Sequence, residues 1–384
     1  MSRIFLGILI FGFLSCGTKK DRVVFQGDLK DLFIDSLSFE REVGVGFMAF
    51  LGTIQYKGEE TIYISRNGLF RFFDPKTGRK VGEFQIPAEG PGSLKGGVLR
   101  AKAFNNSTLV ATNHTGFALI YKDEQLVSQF KLDLSDLESN TFFSFPMSGN
   151  ALHQVSPGEF ELTVNPFDAM AHRIGKDGFD LEFSSWILKF DEEGNWICKT
   201  DFKAPYDETY ANSADASAMV RMVEKGESWA MFSYSDSLFR IQDCQIVDRR
   251  ILKSITPVTY FPDKYEGDEF KGSWERPENG AINYRLIKDQ TTGLQVRLTS
   301  ISRRGPDPNV RDPHDRLYSD EETFLLLIYD SEWNLKGELK MVYPIGTRFE
   351  NLFSTSEGLF INKPEQASED EYEFYKIDLS RFVD

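Results

Sequence analysis

The hydrophobic positions of the chain fall mainly in short runs that are rich in Phe, Ile, Val, Leu and Tyr and that end at Gly, Asn or Asp. Such runs predict β-strands joined by tight turns. Helical periodicity is confined to 212–225, where Ala218, Met219 and Met222 fall on one face. The pattern therefore predicts an all-β protein with one short helical insertion near 212–225.

One phrase recurs along the chain: an apolar strand, a turn containing Asp, and a second strand of alternating polarity. Its six copies occupy 69–86, 117–132, 186–202, 238–255, 324–341 and, in degraded form, 373–383. The turn acids are Asp74, Asp123, Asp191, Asp243, Asp330 and Asp378, separated by 49, 68, 52, 87 and 48 residues. The shorter separations match one four-stranded blade of a β-propeller, and the longer ones match a blade with an insertion.

A further strand candidate precedes each of the first four copies, at 61–68, 108–116, 159–166 and 228–237. Because a single blade cannot bury both faces of its sheet, blades stack around an axis. We predict one six-bladed β-propeller over 31–384, with mostly four-stranded antiparallel blades. The ring must close, and 31–37 with 46–56 are expected to complete the degraded last blade. A pair of β-sandwich domains would show no recurring phrase.

The N-terminus has the pattern of an export signal. Arg3 is followed by the apolar run 4–14, which is too short to span a bilayer as a helix, and then by Leu14-Ser15-Cys16-Gly17. This sequence is similar to a bacterial lipobox, in which the cysteine is acylated and the chain is cut just before it. We predict a signal peptide over 1–15, a lipid on Cys16 and a linker over 16–30; an ordinary signal peptide is the alternative. Two or three acyl chains would hold the protein firmly on a membrane.

The charge of the chain limits its partners. Lys and Arg total 44 against 59 Asp and Glu, a net charge of −15, and loss of Arg3 with the signal peptide makes it −16. So acidic a surface repels phosphate backbones and anionic head groups, which excludes nucleic acid as an expected partner. Membrane attachment is therefore expected through lipid. We expect a cell-envelope location, at the outer membrane, with the periplasmic or external face undetermined.

Two cysteines follow Cys16. Cys198 and Cys244 both lie in apolar, strand-like contexts. In an oxidising compartment they could pair, but a chain of this length can bury a core that needs no disulfide. Unpaired, buried thiols are the favoured interpretation, and pairing stays open.

Taken together, these features resemble a known family. The lipobox, the strand phrase and the crossover sequence at 86–97 are similar to those of the TolB-like six-bladed propeller lipoproteins of Bacteroidetes, including the domain of unknown function 4221. Those proteins tend to carry a Glu-Gly-Pro-Asn/Gly element, matched here by Glu89, Gly90, Pro91 and Gly92. The stretch 318–338 is similar to their Ser-Asp element and Asp turn. The resemblance implies a propeller lipoprotein of the envelope and supplies no catalytic residues.

Candidate chemistry is concentrated in two insertions between the fourth and fifth phrases. The loop 303–322 contains three prolines and a mixture of charges, with Arg303, Arg304 and Arg311 as candidate ligand-binding residues. Arginine forks can hold a carboxylate or a sugar acid. The same loop carries Asp312, His314 and Asp315, which could perform acid-base chemistry. The alternative is a salt-bridged flap over one face of the propeller.

The insertion 260–285 mixes aromatic and charged residues, among them Tyr265 and Trp274. Aromatic side chains among polar groups suit carbohydrate or peptide recognition, and anchoring of the loop onto a blade is the alternative. No nucleophile elbow, phosphate-binding loop, zinc motif or C-x-x-C motif occurs in the chain. No cofactor or metal is expected.

The leading hypothesis is a lipid-anchored envelope protein that binds a protein partner or a ligand, such as a glycan, through its loops without catalysis. The alternative hypothesis is a propeller glycan hydrolase or lyase that uses Asp312, His314 and Asp315. A scaffold subunit of an envelope complex is a third possibility.

Overall fold

The computed structural model describes residues 24–41, 50–66, 68–94, 100–105, 107–113, 116–133, 142–143, 152–166, 181–224, 226–266, 273–304, 321–344, 352–364, 368 and 370–383. Within these ranges, six largely antiparallel sheets follow one another along the chain. The predicted six-bladed β-propeller is therefore confirmed.

The described chain begins with β1 (Phe25–Asp28), a short 3₁₀ helix (Leu29–Leu32) and β2 (Phe33–Glu40). Blade 1 contains β3 (Phe50–Tyr56), β4 (Glu59–Arg66), β5 (Leu69–Phe73) and β6 (Lys80–Gln85). Blade 2 contains β7 (Arg100–Phe104), β8 (Thr108–Thr112), β9 (Phe117–Lys122) and β10 (Gln125–Lys131). Blade 3 contains β11 (Phe142–Phe143), β12 (Leu152–Ser156), β13 (Glu159–Asn165), β14 (Ile187–Asp191) and β15 (Trp196–Lys199).

Blade 4 follows two further 3₁₀ helices, Glu208–Tyr210 and Asp215–Ser217, and contains β16 (Met219–Glu224), β17 (Glu227–Phe232), β18 (Ser237–Gln242) and β19 (Gln245–Ile251). A small hairpin, β20 (Lys264–Glu266) and β21 (Ser273–Glu275), precedes blade 5. Blade 5 contains β22 (Ile282–Lys288), β23 (Gln295–Arg304), β24 (Glu321–Tyr329) and β25 (Leu335–Pro344). Blade 6 contains β26 (Phe353–Thr355), β27 (Gly358–Asn362) and β28 (Glu371–Ile377), followed by a 3₁₀ helix at Ser380–Phe382.

The six sheets form a closed ring. The innermost strands β3, β7, β12, β16, β22 and β26 each contact the innermost strands of both neighbouring blades, and β26 contacts β3. We call the end of the ring that carries the turns from these strands to the next ones the turn face. The opposite end, which carries the crossovers between blades and the insertions, is the loop face.

Six hydrophobic clusters hold the ring together, and each lies between two neighbouring blades. Between blades 4 and 5, for example, Met231 and Leu238 pack with Leu327 and Tyr329. Burial of one such side chain contributes about 1.5–3 kcal/mol. Because every cluster takes side chains from two sheets, removal of one blade would expose two apolar faces.

Five of the recurring aspartates lie in the outer hairpins of blades 1 to 5, whereas Asp378 lies between β28 and the C-terminal 3₁₀ helix. The carboxylate of Asp74 accepts hydrogen bonds from the backbone N–H of Thr77, at 2.7 Å, and of Lys76, and Asp191, Asp330 and Asp378 accept equivalent bonds. Asp123 and Asp243 instead have positive φ angles, 48° and 46°, at the first position of two-residue turns. Asp suits both conformations, which explains its recurrence.

The N-terminal segment closes the ring. β2 pairs antiparallel with β28 and supplies the outermost strand of blade 6, as predicted from 31–37. The segment 46–56 was also predicted to complete the last blade, but its strand β3 is the innermost strand of blade 1. β1 adds a fifth, parallel strand to blade 5 within the segment predicted as a linker. Both ends of the chain therefore meet in the last two blades.

The helix predicted over 212–225 is wrong. The segment contains a single 3₁₀ turn at Asp215–Ser217, and strand β16 follows it. β16 is buried on both faces between blades 3 and 5, so its apolar residues lie on both faces and lack the alternation of a half-buried strand. Such a pattern can mimic helical periodicity over a few residues. No helix in the described ranges is long and apolar enough to cross a bilayer.

The favoured interpretation of the two cysteines is also wrong, because Cys198 and Cys244 form a disulfide with a Cα–Cα distance of 6.0 Å. Cys198 lies on β15 and Cys244 lies in the turn between β18 and β19. Their separation of 46 residues is close to one blade repeat, so the ring places them side by side on the outer edges of neighbouring blades. The size of the core, on which the prediction relied, does not determine this proximity.

Phe39 on β2 provides a test of ring closure. It is 1% exposed and lies against Phe73, Phe353 and Phe374, with ring centroids 5.2–6.4 Å apart. We expect Phe39→Ala to lower the free energy of unfolding, measured by urea denaturation, by about 3–5 kcal/mol because it leaves a cavity between blades 6 and 1. Ile34→Ala, on the same strand at a side chain that is 60% exposed, is the matched control and should have little effect. Equal effects of the two substitutions would contradict the closure by β2.

Candidate functional site

The loop predicted as a binding site is described only at its base. Arg311, Asp312, His314 and Asp315 lie outside the described residues, as does Cys16. Arg303 and Arg304 are the last residues of β23 and pair in the ladder with Glu322 and Glu321 of β24. The backbone N–H of Arg303 donates to the carbonyl of Glu278 at 2.6 Å, which attaches the base of this loop to the preceding insertion.

The aromatic insertion forms a small hairpin. Tyr265 and Trp274 are directly opposite each other in the β20–β21 ladder, so the structure brings their backbones together. Trp274 is described by its backbone alone. Tyr265 is half-buried. Tyr265 does not line the axial cavity described below.

A buried ion pair fastens the two insertions to blade 5. The guanidinium of Arg276 donates to Glu322 at 2.5 Å and to the hydroxyl of Ser300 at 3.2 Å, and the hydroxyl of Tyr284 donates to Glu322 at 3.1 Å. The side chains of Arg276 and Glu322 are 7% and 6% exposed. Glu322, one of the acids of the predicted loop, is therefore engaged in a structural contact with the neighbouring insertion.

Two carboxylates lie close together beside this ion pair. Asp263, 2% exposed, accepts hydrogen bonds from the hydroxyls of Ser213 and Tyr234 and from the backbone N–H of Asp215. Burial, and then the negative charge of Asp263, raise the pKa of Asp215 to about 7. These contacts attach the crossover before blade 4 to the insertion before blade 5. Ser213 and Asp215 thus stabilise a loop on the loop face.

A cavity of about 930 Å³ occupies the axis of the propeller. Residues from the innermost strands of all six blades line it. It reaches the turn face, because Pro157, Gly226 and Gly293 in its lining belong to turns on that face. A volume of this size is typical of a site for a small molecule.

Basic residues from three blades belong to the lining of this cavity at the middle of their strands. They are Lys102 on β7, Arg221 on β16 and Arg285 on β22. His153 on β12 lines the same region. Arg221 is fully buried and forms an ion pair with Glu161 on β13.

The pKa shifts of nearby groups indicate that these basic side chains lie close to one another. The ammonium of Lys102 donates to the carbonyl of Leu152 at 2.7 Å. Burial, followed by the positive charges of Arg285 and Arg221, lowers the pKa of Lys102 well below its usual value. Burial raises the pKa of Tyr63 in blade 1, and the charge of Arg285 opposes that increase. Arg285 therefore acts across the ring, on side chains of blades 1 and 2.

The position of Arg285 depends on a bulge in its strand. The register of β22 against β23 shifts between Asn283 and Arg285, which leaves Tyr284 as the extra residue. A bulge of this kind redirects the side chains on either side of it. Tyr284 lies against Glu322, whereas Arg285 lines the cavity.

The mouth of the cavity is polar and nearly neutral. Lys288 and Glu224 form an ion pair of 3.0 Å, and Glu60 accepts a hydrogen bond from the backbone N–H of Ser356 at 2.9 Å. Polar side chains without formal charge complete this part of the lining: Gln55, Asn105, Gln154, Ser156 and Gln290. The positive charge is thus concentrated deeper along the axis. In the described ranges, no group of three or more His, Cys, Asp and Glu could hold a metal ion.

The sequence contained a signal for this site that the loop-based prediction missed. Lys102, Arg221 and Arg285 each lie in the interior of a short strand that is otherwise largely apolar. A charged residue at the centre of an innermost strand must lie near the propeller axis. The prediction considered charged residues only where several occur close together in the sequence. Because Lys102, Arg221 and Arg285 are far apart in the sequence, it did not include them.

Comparison with known proteins gives matches of fold. No family model matches the chain, and no curated protein matches it. A crystal structure of a DUF4221 family member from Bacteroides vulgatus matches with a TM-score of 0.69 and 13% identity, over 90% of this chain and 97% of that one. The two proteins share a fold. The resemblance inferred from the sequence is therefore confirmed for the fold.

A second solved structure, from Bacteroides fragilis, is of a protein whose name suggests that it is exported. It matches with a TM-score of 0.51 and 12% identity, over 92% of this chain and 99% of that one. At this identity the similarity establishes the architecture alone.

The raised pKa of Asp215 predicts a dependence of stability on pH. Because the carboxyl binds a proton more tightly in the folded state, its contribution is complete below the unfolded pKa near 3.8 and is lost as pH rises through about 7. We expect Asp215→Asn to match the wild type at pH 4 and to exceed its free energy of unfolding by about 2 kcal/mol at pH 8. Asp201→Asn, at an exposed position of the same segment, is the control. A difference between Asp215→Asn and wild type that does not change with pH would contradict this assignment.

Proposed function

We propose that the protein is an exported, lipid-anchored envelope protein whose propeller binds a small ligand in its axial cavity. The observation that carries the proposal is the cavity of about 930 Å³, with polar and positively charged side chains supplied by several blades. Sites for small molecules are concave, of this size, and lined by apolar surface with a few convergent polar groups. The residues predicted as binding residues on the loop face, including Arg303, Tyr265 and Trp274, support a second contact surface for a partner protein.

Three features support export and anchoring. The chain starts with a charged residue, an apolar run and the sequence Leu14-Ser15-Cys16-Gly17. The Cys198–Cys244 disulfide suits an oxidising compartment outside the cytosol. One protein of similar fold carries a name that suggests export.

A lipid on Cys16 would hold the propeller close to the membrane. Eight residues lie between Cys16 and Phe25, the first residue of β1, so nine residue steps join them. A fully extended chain spans about 3.3–3.6 Å per residue, so the tether reaches about 30 Å at most. Phe25 pairs with Gly337 near the start of β25, on the side of the turn face. The anchor would therefore leave the propeller on the side toward which the cavity opens.

The anchor is tested by Cys16→Ala. We expect the wild-type protein to sediment with membranes and the variant to remain in the soluble extracellular or periplasmic fraction, because the thiol is the site of acylation. Both proteins are followed by immunoblotting after ultracentrifugation, and Cys198→Ala, which removes a cysteine of the disulfide, serves as the control and should still sediment with membranes. Sedimentation of Cys16→Ala with membranes to the wild-type extent would rule out the lipid anchor.

Ligand binding in the cavity is tested by thermal denaturation of the Cys16→Ala protein with a panel of sugars, amino acids, organic acids and sugar phosphates. A ligand at a hundredfold excess over its Kd adds about 2.7 kcal/mol to the free energy of unfolding, which raises Tm. We expect at least one compound to do so. Gln154→Trp adds bulk to the cavity lining and should abolish the shift, whereas Gln129→Trp, on the exposed outer strand of blade 2, should preserve it. The absence of any shift, or a shift that survives Gln154→Trp, would refute binding in the cavity.

A further inference from the structure

We propose that the deep part of the axial cavity binds the anionic group of a polar small molecule, with Lys102 and Arg285 as the residues that contact it. This inference rests on the proposed function and names the chemical class of the ligand. The class is a hydroxyl-rich molecule with one carboxylate or phosphate group.

The first argument is the sign of the charge along the axis. Four basic residues line the cavity, Lys102, Arg221, Arg285 and Lys288, and Arg221 is paired with Glu161. The two acids of the lining, Glu60 and Glu224, belong to the mouth, where Glu224 pairs with Lys288. Among the described residues of the lining, basic side chains therefore outnumber acidic ones, although the protein as a whole carries a net charge of −15.

The second argument is the energetic cost of this arrangement. Burial and the neighbouring arginines both disfavour the charged form of Lys102. Like charges in a region of low dielectric repel each other strongly. Groups perturbed in this way concentrate at functional sites, because a bound ligand of opposite charge removes the repulsion.

The third argument is access. Lys102 and Arg285 are half-buried, although both lie on innermost strands. Because an innermost strand borders the axis, the exposed part of its side chains faces the cavity. Arg221, in contrast, is fully buried and directed at Glu161 and Ser228. Among the basic residues of the inner lining, Lys102 and Arg285 are therefore more accessible to a molecule in the cavity than Arg221 is.

The fourth argument is the shape of the donor set. A guanidinium presents parallel N–H groups that match a carboxylate or a phosphate, and an ammonium adds a compact charge. The bulge at Tyr284 places the guanidinium on the axis, and that bulge is itself held by the contact between Tyr284 and Glu322. The site is thus supported by the buried ion pair on the loop face.

The rest of the cavity indicates what the anionic group is attached to. The amide side chains of Gln55, Asn105, Gln154 and Gln290 lie nearer the turn face. Amides both donate and accept hydrogen bonds, which suits hydroxyl groups. The volume far exceeds that of a phosphate ion alone, so the cavity has room for a molecule of the size of a sugar acid or a sugar phosphate.

The test is isothermal titration calorimetry on the full-length Cys16→Ala protein with four probes: glucuronate, glucose 6-phosphate, glucose and inorganic phosphate. We expect glucuronate or glucose 6-phosphate to bind more tightly than glucose, with an affinity that falls as salt increases because the contact is ionic. The comparison of the first two probes distinguishes a carboxylate ligand from a phosphate ligand. Inorganic phosphate measures the contribution of the anionic group alone.

Charge variants locate the contact. Lys102→Met and Arg285→Gln should each lower the affinity for the tighter-binding anionic probe by about tenfold to a hundredfold, as expected for loss of a charged hydrogen bond. Arg285→Lys, which keeps the charge, should retain part of the affinity. Lys199→Met, at an exposed position on β15, should leave it unchanged. Thermal unfolding of every variant reports whether its fold is intact. The comparison of the four probes uses a protein with an unsubstituted cavity, so it tests the inference even if a cavity variant fails to fold.

Three results would overturn the inference. If glucose binds as tightly as the acids, or if Lys102→Met and Arg285→Gln leave the affinity for the acids unchanged, binding in the cavity does not depend on the charge of the ligand. The proposed function would then survive, because the compound panel and Gln154→Trp test it separately. If neither acid binds at millimolar concentration, the inference fails, and the panel decides whether the proposed function fails with it.

Discussion

A four-stranded blade has two apolar faces and can bury both only when another blade lies against each, and this constraint determines the rest of the structure. The described core is accordingly divided into six clusters, one at each contact between neighbouring blades. The ring has no free apolar face as long as it closes, and closure depends on β2, which carries Phe39 into the contact between blades 6 and 1. The disulfide between Cys198 and Cys244 adds a covalent link between two blades at their outer edge.

The same geometry creates the cavity. Stacking of six sheets around an axis brings their innermost strands together, and side chains that are 64 and 119 residues apart in sequence, such as those of Arg221, Arg285 and Lys102, meet near that axis. The protein has a net charge of −15, yet these three residues bring basic groups to the lining of the cavity. The bulge at Tyr284 and the Arg276–Glu322 pair that secures it connect the loop face to this site. The insertions thereby contribute to the position of a side chain on the axis.

Much of the fold could be predicted from the sequence, because the signals that determine it are local and repeated. Each Asp acts within five residues, either by side-chain hydrogen bonds to the turn or by adopting a positive φ, so its six copies predict six blades without knowledge of any contact between them. β16 was mistaken for a helix because burial on both faces removes the alternation that marks a strand. The pairing of Cys198 with Cys244 and the convergence of Lys102 with Arg285 depend on distances across the ring, which no local pattern contains. The candidate site was therefore sought in the loops, and its residues on the axis were missed.

A crystal structure of the full chain grown with glucuronate and, in parallel, with glucose 6-phosphate would test this account most directly. The account predicts six sheets closed by β2, with electron density for the acid in the axial cavity and its anionic group within about 3 Å of the side chains of Lys102 and Arg285. Density for the acid only elsewhere on the protein, or a cavity in which Lys102 and Arg285 point away from each other and from the axis, would contradict it.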